Sequence, residues 1–132
     1  MKARLSVLTL MLAFASGAAA LAHHSFAGTY REGETVTIEG DIVQFNIRNP
    51  HSFINIEIVN DEGEKEIWGG EWGSVTQLSQ GGVTRFTLKV GEHVIIDGAP
   101  ARDSLDRKVL VRKVLRPATD TVDEFVWEGR FR

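Results

Sequence analysis

The sequence predicts an all-β fold, a small closed barrel of five strands with one short helix between strands three and four. Three observations predict it. The run Thr35 to Ile47 first alternates Val36, Ile38, Gly40 and Ile42 with Thr37, Glu39 and Asp41, then shifts phase to Val43, Phe45 and Ile47. Period two marks a strand with one buried face, and a one-residue slip marks a β-bulge in a long, bent strand of the kind small barrels require. The periodic segments then follow in the order β-β-β-α-β-β. Finally, Ser74 stands three residues before Gln77, the spacing of a capping box, and Gly81-Gly82 offers the stop. This order is that of the OB-type barrel, with an open sandwich as the structural alternative.

Each element has its own justification. Asn49-Pro50 breaks the first strand, because proline fixes its own φ and drives the preceding residue out of the helical region. Ile54, Ile56 and Ile58 make strand two, from Phe53 to Val59, and Asn60-Asp61-Glu62-Gly63 is a hairpin loop. Strand three is Glu64 to Glu71, where Gly69-Gly70 allows another backbone to come close. The helix after Ser74 carries Val75 and Leu78 on one face. Residues 83–90 read as irregular or as a short extended piece. Strand four holds Val94 and Ile96 and ends at Gly98-Ala99-Pro100; strand five is Lys108 to Leu115, closed by Pro117.

The organisation is a signal peptide over residues 1–22, a barrel domain over 23–117 and an aromatic, charged tail over 118–132 that the periodicity leaves unplaced. Lys2 and Arg4, the apolar run Leu5 to Ala15 and the small residues Ser16 to Ala20 have the layout of a secretory signal. That run is about half the ~20 residues of a membrane span. The expectation is a periplasmic or secreted protein with no membrane span after cleavage. Small residues at Ala20 and Ala22 predict a mature chain beginning at His23; Ala18 and Ala20 would place the start at Leu21. Removing residues 1–22 takes two basic residues and no acid, so the formal net charge of −3 becomes −5. Nucleic-acid binding, which needs a basic footprint, is disfavoured. Cysteine is absent and both methionines, Met1 and Met11, lie in the signal. A metal site on the mature chain must therefore use nitrogen and oxygen, which argues against Cu(I) and iron–sulfur chemistry.

The chemistry-bearing residues are few. His51 follows the Asn49-Pro50 corner in the loop between strands one and two, a wall of the ligand face in OB-type barrels. It either orders the turn or serves as a nitrogen ligand. His23 and His24 stand at the predicted terminus. A chain starting at His23 chelates with its α-amine and ring nitrogen, and a further imidazole makes a T-shaped three-nitrogen site suited to Cu(II). A chain starting at Leu21 puts His23 third, a square-planar chelate complete in itself. The bland reading is a frayed polar tail. Glu71 is either an oxygen ligand, a partner that fixes a histidine tautomer, or a solvated strand-end charge. Phe53, Trp68 and Trp72 offer stacking platforms, with core packing the competing role for the tryptophans. His93 is expected on the surface. No serine has a nucleophile elbow, and there is no phosphate loop or dinucleotide fingerprint.

His23-His24-Ser25-Phe26 after an Ala-rich signal, Asn49-Pro50-His51, Trp68 to Glu71, Gly81-Gly82, Gly91-Glu92 and Gly98-Ala99-Pro100-Ala101-Arg102-Asp103 together resemble a family of small exported bacterial proteins described only as a domain of unknown function. The resemblance covers roughly residues 23–114 and implies an exported OB-like barrel; it points to no particular enzyme activity. Two departures stand out: Val83 follows the glycines where the family often has tryptophan, and the aromatic tail over residues 123–132 is not part of the resemblance. The function expected is non-catalytic binding of a metal ion, Cu(II), through His23, His24 and His51, with Glu71 as a weaker fourth. The alternative is a module that binds a small molecule, a saccharide or a partner protein through Phe53, Trp68 and Trp72, with the tail free to dock on a protein partner.

Overall fold

The strand β1 (Val36–Asn46) is the spine of the structure. The computed structural model describes residues 26–129. The first half of β1 pairs antiparallel with β4 (His93–Pro100), from Val36↔Gly98 to Asp41↔His93. Its second half pairs with β2 (Phe53–Val59), from Asp41↔Glu57 to Asn46↔Phe53. The β1–β2 register slips between Ile42 and Gln44, where the apolar phase shifts, so the bulge lies where the sequence placed it.

A hairpin joins β2 to β3 (Lys65–Glu71), and the Asn60 side chain organises it by accepting from the amides of Glu62 and Glu64 at 3.0 and 2.9 Å. β5 (Lys108–Arg116) returns antiparallel to β4, and its first three residues pair in parallel with Gly69, Gly70 and Glu71 of β3. That short parallel seam closes the sheet into a five-stranded barrel in the order β1-β2-β3-β5-β4. The glycines make the seam possible: a Cβ on Gly70 would sit 2.8 Å from side-chain atoms of both Ile54 and Val111.

The helix α1 (Val75–Gln80) plugs the barrel between β3 and β4. Ser74 Oγ accepts from the Gln77 amide while the Gln77 side chain accepts from the Ser74 amide, so the capping box is formed. At the other end the Gly82 amide donates to Ser79 O and the Val83 amide to Leu78 O, with Gly82 at φ +80°. This paired closure needs a residue in the left-handed region, which glycine adopts without steric cost. Leu78 and Val83 pack together in the core, while Val75, expected on the same face, is over a third exposed.

The barrel is filled by Ile38, Ile42, Ile54, Ile56, Val94, Ile96, Val109, Val111 and Val114, with Trp72 and Leu88. The tail joins this core. Phe125–Glu128 is a sixth strand, β6, paired with Lys113–Arg116 on the same edge of β5 that β3 leaves open. It carries Trp127 to the barrel end, edge-on to Trp72 at 4.9 Å between centroids. Arg116 ties the tail down, donating to Thr87 O and Asp123 O at 2.9 Å. Residues 125–128 are thus part of the sheet, not an appendage.

Candidate functional site

The site lies at the seam, on the outer surface of the barrel. Antiparallel partners share a face. Phe53↔Glu71 therefore point outward, while Ile54↔Gly70 and Ile56↔Trp68 point into the core. Over the outer face at Glu71 lies Tyr30, wholly buried against Ala99 and Leu110 with Phe26 beside them. Residues 26–29 form a helical turn that ends in the Tyr30↔Ala101 bridge. The turn is held from the barrel side: Arg31 N donates to Pro100 O, Arg102 N to Thr29 O, and Arg102 Nε to Ala27 O at 2.6 Å.

Three polar side chains converge there. The Tyr30 hydroxyl donates to Glu71 Oε2 at 2.5 Å, and His51 Nδ1 lies 2.6 Å from Glu71 Oε1. The Phe26 ring lies against the imidazole, with centroids 4.9 Å apart. His51 is placed by the corner before it, where Asn49-Pro50 is a cis peptide. The Asn49 side chain accepts from the Val75 amide, and the buried Ser52 hydroxyl bonds Arg48 O, so both flanks of His51 are fixed. The His51 side chain is 32% exposed and that of Glu71 is 17% exposed, so one edge of the site meets solvent. Burial, then the Glu71 hydrogen bond and the charges of Glu71 and Asp106, push the Tyr30 phenol well above its ordinary pKa.

Both oxygens of Glu71 are engaged, Oε2 by the Tyr30 hydroxyl and Oε1 by His51 Nδ1, an arrangement that fits a partner which fixes a histidine tautomer. Among the described residues no group of three or more His, Asp or Glu is arranged to hold a metal ion. His23 and His24 lie outside the described residues, as do the signal peptide and its cleavage site. Of the aromatic platforms, Trp72 takes the competing core role and is unavailable for stacking: it is wholly buried and packs on Phe45 and Trp127. Phe53 and Trp68 are half-buried on opposite faces of the sheet, and Arg48 covers the Phe53 ring at 4.9 Å. They do not form one surface. A groove of about 590 Å³ with mixed-charge walls, including Asp97, Arg112, Lys113 and Glu128, contains none of Tyr30, His51 and Glu71. Tyr30 is the residue that sequence reasoning missed. Its one local signal is Phe26, four residues earlier in a polar segment.

His93 is exposed and bridges two carboxylates, Asp41 at Nδ1 (2.8 Å) and Glu39 at Nε2 (2.9 Å). Those two hydrogen bonds raise its pKa from 6.5. The folded state therefore holds the proton more tightly than the unfolded chain. The stabilisation is complete below pH 6.5 and is lost as pH climbs through the raised value. Because the group is half exposed, about 0.5 kcal/mol is expected. Urea titrations should find His93→Gln less stable than wild type at about pH 5.5 and equal to it at about pH 8.5. A deficit that grows with pH would contradict the assignment.

A model of a family of unknown function (DUF6152) matches residues 11–109. The chain belongs to this family. The match spans the predicted histidine motifs, the helix and the first four strands, and stops at the seam residue Val109, short of β6. No curated relative and no solved structure matches the chain significantly. No helix among the described residues is long and apolar enough to cross a membrane.

Proposed function

We propose that this member of the family is an exported metal-binding protein that takes Cu(II) through His51 and the histidines of its processed N-terminus, His23 and His24. The observation that carries this reading is the contact of Phe26 with a His51 ring whose Nδ1 is already held by Glu71. A carboxylate on one ring nitrogen is the usual companion of a histidine that binds metal through the other, because it fixes the tautomer and raises the basicity of the ligand. Phe26 stands three residues after His23, and three residues of chain span at most about 11 Å. That length of chain is enough for a terminal histidine to reach His51. The donor set, nitrogen without sulfur, suits Cu(II) in a tetragonal field. The role proposed for the ion is handling or delivery.

The test is a Cu(II) titration of protein purified through its export route, followed by calorimetry and electron paramagnetic resonance. One equivalent should bind at sub-micromolar concentration with a tetragonal signal split by about three nitrogens, as expected for imidazole and amine ligands. No binding at micromolar copper would overturn the reading.

A further inference from the structure

We infer that Tyr30 is a positioning residue of this site: its hydroxyl, through Glu71, determines which nitrogen of His51 is presented to a ligand. The position of the hydroxyl is set by the barrel and not by the site. The ring is wholly buried against Ala99 and Leu110, and the backbone is tied by the Tyr30↔Ala101 bridge, the 2.7 Å bond from Tyr30 N to Phe26 O and the bond from Arg31 N to Pro100 O.

At the 2.5 Å contact a carboxylate has no proton to give, so the phenol donates. That engages Oε2 and turns Oε1 to His51 Nδ1, 2.6 Å away. The same logic applies there: Oε1 accepts, Nδ1 carries the proton, and the lone pair of the neutral ring is left on Nε2. Phe26, its ring tilted by 40° and 4.9 Å from that of His51, crowds the imidazole and opposes its rotation. The terminal torsion of a glutamate is broad and soft. With the phenol oxygen removed, one carboxylate oxygen loses its donor and the hold on Nδ1 loosens. The tautomer assignment stands independently of the metal; its consequence for affinity rests on the Cu(II) reading above.

Tyr30→Phe isolates the hydroxyl, because the buried ring is retained. The probe is a long-range proton–nitrogen correlation spectrum of ¹⁵N-labelled, metal-free protein, with His51 assigned by its absence from His51→Ala. In wild type, at a pH where the ring is neutral, His51 should be the Nδ1–H tautomer alone. In Tyr30→Phe the Nε2–H tautomer should appear, and Cu(II) affinity should fall about 10-fold or more, the range for partners that orient metal ligands. A wild-type His51 protonated on Nε2 would overturn the inference, as would a Tyr30→Phe spectrum identical to wild type. Should the variant not fold, the wild-type tautomer, and a slowly exchanging Tyr30 hydroxyl proton close in space to the His51 Nδ1 proton, decide the matter alone. Wild-type protein with the expected tautomer and no affinity for copper would remove the metal reading and leave the positioning role standing.

Discussion

Trp72→Ala should destabilise the protein by about 4 kcal/mol, while Trp72→Phe should cost under about 1.5 kcal/mol. Trp72 is among the largest wholly buried side chains and stands between the barrel interior, Phe45 and Trp127. Truncation leaves a cavity that the rigid strands around it cannot close, and the loss is a large share of the roughly 5–15 kcal/mol by which domains are stable. Phenylalanine restores most of the volume. It also removes a liability, since Trp72 Nε1 is buried with no hydrogen-bond partner among the described residues. A buried donor left unpaired costs about 1–3 kcal/mol, which offsets part of the packing lost. Urea denaturation followed by far-ultraviolet circular dichroism measures both. Equal costs for the two variants would contradict the cavity argument, because both lack the indole nitrogen and differ in the volume they fill. Unchanged stability in the alanine variant would mean that the tryptophan does not occupy the core.

What the sequence made legible was what local physics controls. The alternation of β1 and its phase slip gave the bulge at Ile42, and Ser74 with Gln77 gave the capping box. The Gly69-Gly70 pair was read correctly as a place of close approach, though which backbone approaches is set by closure of the whole barrel. β6 was illegible because four residues among charges carry too little periodicity. Its stability comes from an edge of β5 that is free only because β3 uses just the first three residues of that strand. Tyr30 escaped for a related reason. A tyrosine in a polar segment has no pattern of its own, and its partner Glu71 is 41 residues away. Glu71 and His51 were both named as candidates, but that they touch each other, with Tyr30 on the other carboxylate oxygen, is set by strand pairing and not by local pattern. The division of Phe53 and Trp68 between opposite faces likewise depends on the β2–β3 register, which alternation within one strand does not fix.

His51→Ala, in a chain processed to begin at His23, should weaken Cu(II) binding by about 100-fold or more, equivalent to about 2.7 kcal/mol. In such a chain the α-amine and one imidazole supply two nitrogens, and His51 supplies the third through a ring that Glu71 already orients. Losing a ligand should cost at least as much as losing a partner that orients one, for which 10- to 100-fold is typical. The fold should survive, because His51 lies on a partly exposed corner whose flanks are held by Asn49 and Ser52. A melting curve near that of wild type is the control. The alternative cut predicts a different result. A chain beginning Leu21-Ala22-His23 has an amine, two amides and an imidazole in sequence, and it completes a square-planar chelate without the barrel. There His51→Ala should leave affinity nearly unchanged, while Ala22→Pro, which removes one of the chelating amides, should abolish the square-planar spectrum. Intact mass of the exported protein tells which chain is present, and the pair of variants then tells which nitrogens hold the ion. The order expected is His23 at the terminus and a large loss with His51→Ala; Ala22→Pro is read only for the chain that begins at Leu21, because in the other Ala22 is the small residue that the cut itself requires. A mature terminus beyond His24, or an uncleaved signal, would leave neither chelate with its amine and would refute the copper site in both forms.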